Sequence, residues 1–411
     1  MRERLIFVES NTTGSGMRAM HTASGLGLTA VLLTSRPQRY QGLAETGAEV
    51  VECDANSFAD VAAAVSTLRS TVAGVTTTSE FYLVTAAVLA AELGVPGNPP
   101  DSVSACRDKA RTREILGSAG VGQPAFACVR GVDQVSAAVA RIGLPCVVKP
   151  VDESGSRDVL LCRTEAEAAR QVEAILSQRS NTRGQPAAGL VLIEEFIDAP
   201  EYSVEMFSAD GVAHPVGITA KSVSGLPWFV ETGHLYPAPL AEDRARVLEQ
   251  CASRALAAVG IRTGPTHTEV RLRPAGPAVI EINARLAGGM IPEIIRLADG
   301  VDLLEQQILA AVGRPLQLGQ ADPAPRRRSA GIRFLLAERS GILEAVAGTV
   351  EAAALAGITE VVITAEQGKP VDPARDSYGR LGYVIAHGAS PAEVVRRLDA
   401  AQRAVRLTIV P

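Results

Sequence analysis

Residues 266–285, THTEVRLRPAGPAVIEINAR, carry the densest set of groups able to do chemistry. Side chains alternate along a strand, so His267, Glu269 and Arg271 share one face of the first half. In the second half Glu281, Asn283 and Arg285 share a face. A turn centred on Ala275 sets Glu269 opposite Glu281 and His267 opposite Asn283; on the other face it sets Val270 opposite Ile280. Like charges directly opposite each other destabilise a sheet, so two facing carboxylates call for a cation between them. Two glutamates and an asparagine carbonyl, without cysteine, are hard oxygen ligands that suit Mg²⁺ held together with substrate phosphates. The competing reading is a polar sheet face turned to solvent.

A second cluster lies upstream. Lys149 follows an apolar run in PCVVKP and precedes the glycine-serine stretch DESGSRDV. Backbone N–H groups in such a loop cradle phosphate oxygens, and a nearby ammonium neutralises them. No GxxxxGK[ST] is present, so this is not a Walker A loop, and a hairpin turn with a surface lysine explains the same text. The chain writes its cations as arginine almost throughout: of 40 Lys and Arg only Lys109, Lys149, Lys221 and Lys369 are lysine. A compact ammonium retained against that bias points to a site that a planar guanidinium does not fit, above all at Lys109 and Lys149, which sit inside motifs; for Lys369 drift explains it equally well.

The elements that must hold these groups change character along the chain. Over residues 1–100 strands (RLIFVES, TAVLLTS, GAEVVEC, AGVTTT) alternate with helical text, which predicts a parallel, Rossmann-like sheet. The loop SNTTGSG lacks a full GxGxxG, and no acid ends the second strand to hold a ribose, which weakens a dinucleotide oxidoreductase. Residues 101–315 mix helices with the hairpins at 202–221 and 266–285. Residues 316–411 predict a small α+β domain after the boundary text PAPRRRSAG, whose triplet 326–328 reads as a solvated linker. The fold class expected is α/β, with α+β character in the centre.

Composition limits the function. At 47% hydrophobic and 21% charged the 411-residue chain is globular material, not a disordered one. A net charge of −5 does not advertise binding to nucleic acid or an anionic membrane. Apolar stretches such as 81–91 fall short of the roughly 20 residues of a membrane helix. The six cysteines form no CxxC pair, and the N-terminus carries no signal-peptide pattern. A cytoplasmic protein with reduced thiols is expected.

Four further residues stand out singly. His234, in ETGHLYPAP, reads as a loop residue facing substrate or solvent. His267 is placed for a substrate contact or for support of a metal ligand. Glu80, after AGVTTT, sits where open α/β sheets bind ligands, to hold an ammonium or, as the preferred reading, to cap the following helix. Trp228, the single tryptophan, walls a side-chain pocket or is an exposed aromatic.

In order, RDKARTREIL, PCVVKPVDESGSRDV, LIEEFIDAPEYSVE, HTEVRL and VIEINARLAGG resemble the ATP-grasp superfamily, and within it the carboxylate–amine ligases that include the L-amino-acid (dipeptide) ligases. The resemblance covers essentially the whole chain. It implies a Rossmann-like N-terminal domain, a central ATP-grasp domain over 101–315 with a small lid subdomain over about 124–196, and an enzyme that joins a carboxylate to an amine with release of ADP. By the same resemblance Lys109 and Lys149 would hold the ATP phosphates, and Ser154, Gly155, Ser156 and Arg157 would form the loop that closes over them. Glu194 and the backbone of Glu195, Phe196 and Ile197 would take the adenine, and Glu201 the ribose. One of the adjacent Glu194 and Glu195 must point away. Glu269, Glu281 and Asn283 would bind two Mg²⁺ (or Mn²⁺), and Arg285 would face the reacting phosphoryl group and carboxylate. Gly288 and Gly289 would let backbone N–H groups approach an acyl-phosphate. The partners implied are small-molecule carboxylate and amine substrates and a second copy of the chain as a homodimer, with no nucleic acid and no membrane. A purine-pathway carboxylase, a biotin-carboxylase-like enzyme and a non-catalytic nucleotide sensor are the other readings.

Overall fold

The computed structural model describes residues 3–12, 15–318 and 329–411. Part of the SNTTGSG loop and the arginine triplet 326–328 therefore lie outside the described residues. Four parallel strands open the chain, in the order Glu49–Glu52, Thr29–Thr34, Arg4–Val8, Val72–Thr76. Alternation divides their apolar side chains between two faces. Ile6, Val8, Val31 and Leu33 pack with Val61, Phe81 and Leu89. Leu5, Phe7 and Leu32 pack with Met17, Met20, Leu304 and Ile308. Helix Leu303–Ala311, far along the chain, thus covers one face of the first sheet. The switch between outward and inward strand order falls between Arg4–Val8 and Val72–Thr76, so their C-terminal ends open a crevice toward the rest of the molecule. Glu80 stands there, on the short 3₁₀ turn Glu80–Tyr82.

A small antiparallel sheet follows, in the order Phe126–Val129, Val191–Glu195, Cys146–Pro150, Leu160–Cys162. Helices Val135–Ile142 and Glu165–Leu176 cover it with Val135, Val139, Val172 and Ile175. The second of these starts at a capping box, Thr164 and Glu167 satisfying each other's backbone N–H groups. Residues 151–159 connect the two strands that end beside Lys149, so the glycine-serine loop projects from one end of this sheet.

An eight-stranded sheet forms the body. Its order is Gly276–Asn283, Gly264–Arg273, Glu201–Ala209, Val212–Ser224, Val230–Tyr236, Ser329–Leu336, Arg380–Gly388, Ile358–Ile363. The pairing of Val230–Tyr236 with Ser329–Leu336 carries one sheet across the change of character expected near residue 315. Helix Glu242–Val259 buries Leu248, Ala252 and Leu256 on Val204, Val270 and Ile282. The 266–285 hairpin pairs His267 with Asn283 and Glu269 with Glu281. One expected pair differs: Val270 meets Val279, not Ile280, because a bulge between Glu269 and Val270 shifts the register by one. The turn closes tightly at Arg273 and Gly276, and the extra residue Ile280 absorbs the mismatch. Among the described residues no helix is long and apolar enough to cross a membrane.

Candidate active site

The small sheet, the body and the C-terminal segment enclose a cleft of about 300 Å³. Lys149 and Glu194 enter it from neighbouring strands of the small sheet. Their charges meet at 2.7 Å, and Arg113 Nε donates to the other Glu194 oxygen at 2.6 Å. Arg113 is fully buried. Burial, with Arg113 and Lys109, draws the Lys149 ammonium below its ordinary value against the opposing pull of Glu194. Glu194 is thus the inward member of the pair, and its carboxylate is held by two cations. Glu195 turns outward and accepts the Ala125 N–H at 3.1 Å. The Glu195 N–H donates to Ala125 O, and Ile197 O accepts from Arg271, so both of these backbone groups have protein partners. Phe196 stacks near Phe229, with Arg271 5.7 Å from each ring.

The hairpin supplies the opposite wall. Lys109 Nζ lies 3.4 Å from Glu281 Oε1 and donates to Glu153 O at 2.7 Å. The Asn283 amide nitrogen, in the orientation that satisfies its neighbours, donates to Glu80 Oε1 at 2.7 Å and Glu281 Oε1 at 3.2 Å. His267 bridges Glu205 at 2.8 Å and Glu269 at 3.2 Å. Burial would lower its pKa, but Glu205 and Glu269 outweigh that and lift it to about 9, so the ring is a cation at neutral pH.

Lys221 was not singled out as a site residue by sequence. Its ammonium is buried among Glu201 at 3.1 Å, Glu231 at 2.7 Å and Glu269 at 2.5 Å. Oxygens of these three glutamates lie within 4.8 Å of one another, a spacing that would suit a metal, and the lysine stands there as the cation. Arg271 holds Glu201 at 2.9 Å and Arg380 holds Glu231 at 2.7 Å. One oxygen of Glu269 is thereby committed to Lys221 and His267. The signal was present: Lys221 breaks the arginine bias, and the Asp210–Gly211 turn brings it opposite Glu201. Removing one partner of a buried ion network leaves uncompensated charge and costs about 3–5 kcal/mol. Lys221→Met is expected to lower unfolding stability by that order in urea titration; an unchanged midpoint would contradict the network.

Three expectations are corrected. Glu80 neither caps a helix nor waits for an ammonium: it is buried, and accepts from Arg107 Nη1 at 2.6 Å and Arg285 Nε at 2.8 Å. Burial alone would raise its carboxyl, but Arg285, Arg107 and Lys109 hold it well below the usual carboxylate range. His234 lies not on a loop but on strand Val230–Tyr236, buried, its ring edge-on to Phe334 at 5.5 Å. Neither ring nitrogen has a hydrogen-bond partner among the described residues. Burial, with Lys221 and Arg380 and against Glu231, pushes its pKa down to about 3, so it stays neutral. Trp228 stands outside the cleft: it bridges to Leu160 and lies under Arg375 at 5.2 Å, in a neighbouring hollow lined by residues 364–381.

Ser154, Gly155, Ser156 and Arg157 line the mouth of the cleft. Gly155 and Ser156 have left-handed φ values of +68° and +61°, and Gly155 O accepts the Ser377 N–H at 3.0 Å. Gly288 and Gly289 line the far end beside Arg285. Gly289 has φ +58°, and a Cβ there would meet His234 Nε2 at 2.6 Å, so no larger residue fits. Sequence reasoning also missed Arg113, although it lies one helical turn after Lys109 on the same face.

Residues 142–293 match the ATP-grasp domain, and residues 333–410 match the L-amino acid ligase C-terminal domain 2. Over its full length the chain is 32% identical to the uncharacterized protein y4rH of Sinorhizobium fredii, covering 84% of that protein. It is 29% identical to carnosine synthase 1 of Gallus gallus over 283 residues, 65% of this chain but 30% of the relative. The chain therefore spans under a third of that relative's length. An L-amino acid ligase from Bacillus licheniformis superposes with a TM-score of 0.83 over 100% of this chain and 99% of the other, at 24% identity, a likeness of fold. The chain belongs to the ATP-grasp family, as a ligase that carries the C-terminal domain of the L-amino acid ligases.

Proposed function

We propose that the chain activates a carboxylate, an amino acid, as an acyl-phosphate with ATP and joins it to an amine. The observation that carries this reading is the convergence on one cleft of Lys109, Lys149, the facing Glu269 and Glu281, Asn283 and Arg285. In this reading Lys109, Lys149 and the 154–157 loop bind the phosphates, and Glu194 to Ile197 with Glu201 line the nucleoside.

The donor set fits a divalent cation: Glu281, the second oxygen of Glu269, and Asn283 with its amide turned so that the oxygen faces Glu281, are hard ligands on one sheet face, and no thiol lines the cleft. These three residues would hold Mg²⁺ or Mn²⁺, which would neutralise charge on the phosphates. The chain's own groups do the rest. Arg285, anchored on Glu80, orients the substrate carboxylate so that one of its oxygens meets the γ-phosphorus as the bond to ADP breaks. Phosphoryl transfer needs alignment and charge neutralisation more than covalent help, and Lys149 and Arg285 supply both. The amine nitrogen then attacks the acyl carbon and phosphate leaves. The amine proton leaves with the departing phosphate, and His234, whose ring nitrogens are unpartnered among the described residues, lies beside Gly289 where it can hydrogen-bond the substrate. His267 holds Glu269 in place. The loop over the mouth excludes water, which would hydrolyse the intermediate.

Oxygen-18 in the substrate carboxylate tests this route. It is expected in released phosphate, with ADP as coproduct, when pairs of amino acids are screened for phosphate release. Label in AMP, with pyrophosphate formed, would overturn it. The same reading has a cytoplasmic homodimer, which light scattering on the purified protein decides for assembly.

A further inference from the structure

Arg107 ends helix Pro100–Arg107 and touches three parts of the molecule that are remote in sequence. Its Nη1 donates to Glu80 Oε1 at 2.6 Å, on the turn after the first sheet. Its Nη2 donates to Asp152 O at 2.7 Å, at the stem of the glycine-serine loop. Its guanidinium lies 5.3 Å from the Phe81 ring, which Arg183 of the small-sheet unit also approaches at 5.7 Å. Gln185 of that unit donates to Phe81 O at 3.0 Å.

The contacts form a register. Lys109 N donates to Val151 O at 3.1 Å, Arg107 to Asp152 O, and Lys109 Nζ to Glu153 O at 2.7 Å. Three consecutive carbonyls of the loop stem are thus held by residues 107–109. Lys109 alone keeps the stem anchored. Of the two residues on the stem, it is Arg107 that also holds Glu80, at the oxygen that Asn283 approaches as well, and the second Glu80 oxygen holds Arg285. A planar guanidinium can donate to two acceptors in fixed directions at once, whereas an ammonium is a point charge without that geometry.

We infer that Arg107 is a positioning residue: through Glu80 it sets Arg285 against the reacting carboxylate, and it links that setting to the stem of the loop over the nucleotide. The inference rests on the ligase reading of the cleft. It separates two effects that a merely structural arginine would change together. Losing the link disturbs the carboxylate side, where Arg285 sits, while Lys109 and Lys149 still bind nucleotide.

Arg107→Lys keeps the charge and tests this. With amino-acid pairs that the wild type turns over, kcat is expected to fall about tenfold or more and the carboxylate KM to rise, since small misplacements of a reacting group are costly. The KM for ATP is expected to stay within about twofold, because uniform nucleotide binding is left in place. Hydrogen exchange reads the link without turnover. In the wild type a non-hydrolysable ATP analogue with Mg²⁺ is expected to slow exchange both in residues 151–158 and in the 80–85 turn. In the variant it should slow the loop only. Equal rises in both KM values, wild-type kinetics, or a turn that responds as in the wild type would overturn the inference. If the variant melts below assay temperature, Glu80→Gln, which leaves Arg107 bonded to Asp152, reads the same link by exchange. Absence of amino-acid-dependent ADP formation in the wild type would instead sink the ligase reading, and the exchange experiment would still decide the role of Arg107.

Discussion

Glu281→Gln is expected to lower ADP release by about a thousandfold while the protein keeps its fold, the loss that follows when a site aimed at developing charge loses one of its groups. Glutamine has the shape of glutamate, so packing in the hairpin survives. What it lacks is the charge that faces Glu269 across the sheet and lies 3.4 Å from Lys109. Glu269 cannot compensate, since one of its oxygens already serves Lys221 and His267. Circular dichroism melts separate folding from function. Titration of Mg²⁺ against nucleotide binding gives a second readout, in which the variant should need far more metal. A wild-type rate with unchanged Mg²⁺ dependence would rule out Glu281 as a metal ligand.

Lys149→Ala is expected to lower the rate by about a hundredfold and to raise the KM for ATP, because the ammonium serves bound nucleotide and transition state alike. Lys149→Arg should not restore it. The side chain is buried between Glu194, 2.7 Å away, and a cleft whose opposite wall is the hairpin. Arg113 already occupies the other Glu194 oxygen, so a second guanidinium would crowd the same carboxylate and displace phosphate. Removing the lysine leaves the Arg113–Glu194 pair intact, so the fold should survive. Steady-state kinetics with ATP varied will show it; full activity in Lys149→Arg would overturn the assignment.

Sequence alone was informative wherever the determinants were local. Alternation put His267 and Glu269 on one face of their strand and Glu281 and Asn283 on one face of theirs. The turn closes one register from the expected centre at Ala275, and the expected pairs 269/281 and 267/283 form because the bulge at Ile280 shifts the register back. The strand–helix alternation of the first hundred residues carried the parallel sheet. Three of the four retained lysines, Lys109, Lys149 and Lys221, stand at carboxylates of the site, while Lys369 is exposed.

Tertiary structure decided whatever depends on residues far apart. The bulge at Ile280 is invisible in alternation: adjacent Val279 and Ile280 are both apolar, and the structure buries Val279 and turns Ile280 to the cleft. The strand holding His234 pairs with Val212–Ser224 on one side and with a strand about a hundred residues later on the other, while its own short text, VETGHLY followed by Pro237 and Pro239, reads as loop. Glu80 reads locally as a helix cap, and only the approach of Arg107 and Arg285 makes it the anchor of a guanidinium. Lys221 finds its three carboxylates on three different strands of one sheet. Charges buried together must be neutralised together. Which charges those are is fixed by how the strands are ordered across the sheet, and that order is not written in any single segment of the chain.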